Sequence, residues 1–85
     1  MGHHVYVGIV SNEKRVRATC DCDDWWKTEW VNAGDGETIN DCLEAVVEEA
    51  QWHAHNPRLT VADCLVADVS QYLHDHDDWP MSRTS

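Results

Sequence analysis

The chain has 85 residues, with sixteen acidic against six basic side chains and a formal net charge of -10. That length makes one domain whose core holds only a modest surplus over chain entropy, so an additional staple would be unsurprising. The charge excludes docking on nucleic-acid phosphate or on an anionic membrane leaflet and favours partners with neutral or basic surfaces. No run approaches the ~20 apolar residues that span a bilayer, and Met1-Gly2-His3-His4 lacks the basic and apolar parts of a signal peptide, so a cytoplasmic protein is expected.

Val5 to Val10 carries apolar residues on both alternating sides, as in a strand with little exposed face. Ser11, Asn12 and Glu13 have turn chemistry, after which Val16, Ala18 and Cys20 alternate with Arg15, Arg17 and Thr19 as a half-buried strand completing a hairpin. Asp21 to Asp24 reads as an acidic reversal, and Trp25 to Val31 as a third strand with Trp26, Thr28 and Trp30 on one face. Asn32 to Glu37, with Gly34 and Gly36, is the loop into the central helix.

That helix, Thr38 to His55, is the segment around which the chain is organised. Ile39, Cys42, Leu43, Val46, Val47, Ala50 and His53 recur at the spacing of one buried face, with Asp41, Glu44, Glu48 and Glu49 towards the other side. Thr38 and Asp41 stand at the positions of a capping box, and Pro57 forces a stop near Ala54 or His55. A second helix is expected from Thr60, with Asp63 three residues on and Val61, Cys64, Leu65, Val69, Tyr72, Leu73 and His76 as its stripe, interrupted by Asp68. The expected fold is α+β: a three-stranded antiparallel sheet in the order β-β-β-α-α, the first helix on one face and the second beside it. Residues 1–76 form the domain and 77–85 a flexible tail. A strip of small residues on the second helix, Ala62, Val66 and Ser70, leaves homodimerisation open.

Cys20-Asp21-Cys22 is the most specific local feature, because thiolates two residues apart can address one soft metal ion. A helix running back antiparallel to the third strand covers ~22 Å in fifteen residues, about the length of seven strand residues, which brings its C-terminal end beside this turn. Cys20, Cys22, His53 and His55 then make a candidate Cys₂His₂ zinc set. The competing assignment makes Cys20 a buried strand residue, Cys22 a turn residue and His53 a partner of a backbone carbonyl. Cys42 and Cys64 belong to buried faces, where a reduced thiol behaves as a small apolar group. His74-Asp75-His76-Asp77-Asp78 reads as a solvated acidic terminus, since residues two apart on a helix point nearly opposite ways. No serine stands in a nucleophile elbow and no glycine loop is built to cradle phosphate, so no enzyme is expected.

Five tryptophans and no phenylalanine make up most of the aromatic content, and tryptophan is enriched at interaction hot spots. Trp26 and Trp30 are expected in the core. Trp25 on the opposite sheet face, Trp52 off the core stripe and Trp79 in the tail are candidate anchors, with Glu44, Glu48 and Glu49 as the carboxylate ring around them. The simpler arrangement has the second helix covering Trp52 and side chains of the first strand sheltering Trp25.

The run Val16-Arg17-Ala18-Thr19-Cys20-Asp21-Cys22, then Trp25 and Trp26, then a capped helix ending Trp52-His53-Ala54-His55, resembles small uncharacterised actinobacterial and actinobacteriophage proteins. These share a strand ending in Cys-x-Cys, a following tryptophan and a helix ending in histidine. The resemblance covers Val5 to His55 and implies a β-β-β-α core, similar in outline to the double-stranded-RNA-binding fold but without its basic face. By analogy it implies a phage accessory protein that binds and modulates a host protein in the host cytoplasm. The resulting expectation is a small acidic, non-enzymatic protein-interaction module. The alternatives are a zinc-stabilised domain and a DNA mimic whose helix carboxylates imitate phosphates.

Overall fold

The structure, a computed structural model, describes residues 4–22, 26–75 and 79. Strands β1 (Val5–Val10) and β2 (Arg15–Cys20) form the expected antiparallel hairpin in continuous register from Val5 opposite Cys20 to Val10 opposite Arg15. Strand β3 is only Val31–Asn32, followed by helix α1 (Ile39–Ala54), a 3₁₀ turn (Val61–Asp63), strand β4 (Leu65–Asp68) and a short helix α2 (Ser70–Asp75). The α+β class is as expected, but the sheet is four-stranded and mixed, in the order β3-β2-β1-β4, with β4 parallel to β1.

Helix α1 follows its sequence closely because its signals are local. Asp41 N–H donates to the Thr38 hydroxyl while the Asp41 carboxylate accepts from the Thr38 N–H, the reciprocal pair of a capping box. Cys42, Leu43, Val46, Val47 and Ala50 are buried, and Asp41, Glu44, Glu48 and Glu49 are exposed. The helix lies across β2 and β3, so its buried face meets Val5, Val7, Val16 and Ala18, and Leu59 and Cys64 complete the core.

The third strand departs from expectation through a one-residue slip. Lys27 bridges Thr19, whereas Val31 pairs with Val16, so one extra residue is accommodated between them. Side-chain parity inverts across such a bulge. Trp26 therefore packs on the α1 side of the sheet, whereas the Trp30 ring lies on the other side, 4.7 Å from the guanidinium carbons of both Arg15 and Arg17. The two tryptophans do not share a face. On that second side the Trp79 ring stands over Gly8, where a Cβ would lie 2.7 Å from it, and Arg17 donates to the Trp79 carbonyl at 3.0 Å.

No long second helix forms over residues 60–75. The Thr60–Asp63 pair does cap, with the Asp63 carboxylate accepting from the Thr60 N–H at 3.0 Å, but it caps a single 3₁₀ turn that ends at extended Cys64. Leu65 to Asp68 instead satisfies the open edge of β1, pairing Tyr6 with Leu65 through Ile9 with Asp68. Asp68, which broke the expected apolar stripe, terminates the strand: it accepts from the Ser11 hydroxyl and the Ser70 N–H, each at 2.9 Å. The small-residue strip dissolves with the helix, Ala62 falling in the 3₁₀ turn, Val66 in β4 and Ser70 at the start of α2. Among the described residues no helix is long and apolar enough to cross a membrane.

Candidate metal centre

Two consequences of the fold converge at one end of α1. Cys20 closes β2 on its α1-facing side and is wholly buried, and Cys22 follows in the turn. The turn is anchored from both flanks: Cys20 N–H donates to the Trp26 carbonyl at 2.8 Å, and Asp21 exchanges hydrogen bonds with His4. His53 occupies the last turn of α1 on the core stripe, four residues from the exposed Glu49. Its Nε2 lies 3.0 Å from the Cys22 sulfur, and one donor atom each from Cys20, Cys22 and His53 falls within 4.8 Å of the others. The Trp26 indole stacks on the imidazole at a 4.1 Å centroid separation and a 6° tilt, fixing the ring plane.

Two sulfurs and an imidazole nitrogen are borderline-to-soft donors, suited to zinc or another thiophilic ion. The residues come from β2, from the turn after it and from α1, so an ion held here links the two layers of the domain. Burial pushes the Cys20 thiol above its ordinary value; a hydrogen bond from the Cys22 backbone works against the rise, and the Cys22 side chain and Asp21 add to it. Its proton must leave when a metal binds. Burial also raises the Cys42 and Cys64 thiols, with Glu37 and Asp41 adding at Cys42 and Asp63 at Cys64; both pack in the core.

Among the expected ligands, Cys20, Cys22 and His53 come together and His55 does not. His55 is the C-cap of α1 in the left-handed region, φ 55°, with its N–H directed to the carbonyls of Gln51 and Trp52. The chain reverses there and carries its exposed side chain to the rim of a different feature. That feature is an open groove of about 1010 Å³ between α1 and residues 57–62, with Val47, Leu59 and Val61 among its lining. Trp52, 79% exposed, stands between this groove and a shallower recess that it shares with Trp26, Glu49 and His53.

Compared with protein-family models, with curated proteins and with solved structures, the chain matches none of them. Of the expected contact residues, Glu44, Glu48, Glu49 and Trp52 are exposed on α1, whereas Trp79 is half-buried against Gly8. Trp25, the side chains of His74 to Asp78 and the tail beyond Trp79 lie outside the described residues. The groove is not evident from sequence because its second wall, Pro57 to Ala62, reads there as a loop and a helix start. The signal was present in the clustering of Pro57, Leu59 and Val61 next to the α1 stop.

Proposed function

We propose that this protein is a small zinc-stapled binding domain: Cys20, Cys22 and His53 hold one structural zinc ion, and the acidic surface of the folded domain engages another protein. The observation that carries the zinc assignment is the convergence of three ligand atoms within 4.8 Å from two separate layers of the fold. Zinc favours four donors, so the fourth position falls to water or to a donor outside the described residues. A staple here suits a chain of 85 residues, whose single core is small. A binding role is supported by the exposed Trp52 and by Glu44, Glu48 and Glu49 on the same helix.

Elemental analysis of protein purified without chelator, paired with thermal melts before and after chelation, tests the zinc assignment. One equivalent of zinc, lost together with a fall in melting temperature, is expected. A metal-free protein that takes up no zinc and melts unchanged with it added would end the assignment.

A further inference from the structure

We propose that the groove between α1 and residues 57–62 is the interaction surface of this protein, and that it accepts a basic amphipathic helix of a partner protein. The proposal rests on the binding reading above and does not depend on the metal. The groove opens on the flank of α1 that a second helix was expected to cover. In the structure β4 and α2 lead elsewhere, and Trp52 stands 79% exposed at the edge.

The floor is apolar and already formed. Val47 and Leu59 reach it from the buried core, and Gln51 ties the second wall to the first by donating to the Leu59 carbonyl at 2.6 Å. Such a floor needs no folding on binding, which lowers the ordering cost of association. Along α1 the lining runs from Glu44 to His55. The rise over those twelve residues, at 1.5 Å per step, is ~16 Å, or about three turns of a bound helix presenting anchors at i, i+3 or i+4, and i+7.

The charge selects the partner. Glu44 and Glu48 border the groove on a chain of net charge -10, and Arg15 and Arg17 are stacked on Trp30 on the opposite side of the sheet. Carboxylates along the α1 wall of an apolar floor match lysine or arginine flanking an apolar stripe. It also disfavours a second copy of this acidic chain, which would place carboxylates against carboxylates. Trp52, aromatic, exposed and beside the floor, is the anchor on this side.

The test uses a synthetic 14-residue helical peptide with leucine at i, i+3, i+4 and i+7 and lysine on its flanks, titrated into the full chain by calorimetry. A scrambled peptide of equal composition is the control. Wild type is expected to bind the amphipathic peptide in preference to the scramble, and Trp52→Ala to weaken binding by about 30-fold. Glu44→Lys with Glu48→Lys should weaken it further with rising similarity to a high-salt titration, and should recover a peptide carrying glutamate in place of lysine. All three positions are exposed, so unchanged melting temperatures establish that the variants are folded.

Equal binding of both peptides, with Trp52→Ala unaffected, would overturn the groove while leaving an acidic, phosphate-like binding surface in place. No binding to either peptide would overturn the groove and the binding reading together. A dimer in sedimentation that dissociates on Trp52→Ala would assign the groove to a second copy and so refute the proposed partner.

Discussion

Replacing Cys22 by serine should abolish zinc-linked stabilisation while leaving the metal-free domain nearly as stable as before. Cys22 sits half-exposed in the turn after β2, with its sulfur 3.0 Å from His53 Nε2. A hydroxyl keeps a polar partner for the imidazole, and substitutions this close to the surface usually fall within about 0.5 kcal/mol. As a zinc ligand, however, the thiolate has no equivalent in serine. An ion that binds only the native state stabilises it by about 2.7 kcal/mol when its free concentration is a hundred times the dissociation constant. For a domain of this length each kcal/mol moves the midpoint by ~4–8 °C, so zinc should raise the wild-type Tm by roughly 10–20 °C. The assay is circular-dichroism melting of chelator-treated wild type and Cys22→Ser, each with and without zinc. A wild-type midpoint indifferent to zinc would refute the reasoning, and so would a Cys22→Ser protein showing the full wild-type shift.

Four other outcomes follow from the fold. His55→Gly should leave zinc uptake intact and keep or raise stability by up to about 1 kcal/mol, because glycine adopts the left-handed cap without strain; lost zinc binding would restore His55 as a ligand. Leu65→Ala, at a position 64% exposed on β4, should cost under about 0.5 kcal/mol in urea unfolding, whereas Val46→Ala, fully buried on α1, should cost about 2–3 kcal/mol; a large Leu65 effect would favour a buried helix there. Gly8→Ala should displace the Trp79 ring, changing the near-ultraviolet dichroism and costing about 1 kcal/mol, and the cost should vanish in a Trp79→Ala background. Hydrogen bonds from Ser70 and then Ser11 hold the Asp68 carboxyl below its ordinary 3.8, so wild type should exceed Asp68→Asn in stability above about pH 4 and lose that advantage as pH falls through the lowered value.

Much of the candidate site was legible because it depends on spacing and length. Cys-x-Cys at a strand end and a helix long enough to return to it suffice to bring His53 to Cys22. The fourth expected ligand failed for a local reason with a distant cause: the left-handed cap at His55 turns the chain towards Leu59, whose burial against the core holds that reversal. Trp26 and Trp30 show the same limit. Strict alternation puts them on one face, and only pairing with β2 reveals the extra residue that separates them.

By itself the sequence determined the elements whose stabilising interactions lie within a few residues: the β1–β2 hairpin, and α1 with its capping box, apolar stripe and stop before Pro57. Tertiary structure decided residues 60–75. Their apolar pattern fits a helix, but Leu65, Val66 and Ala67 make a short apolar run that a strand also accepts, and a single 3₁₀ turn is all that the Thr60 cap sustains. What tipped the balance was the unpaired edge of β1. Pairing there gives Leu65 to Asp68 partners for its backbone groups along one side and carries Val69 into the core, so the segment became the fourth strand and now forms the sheet edge. The flank of α1 was thereby left open, with Trp52 at its edge.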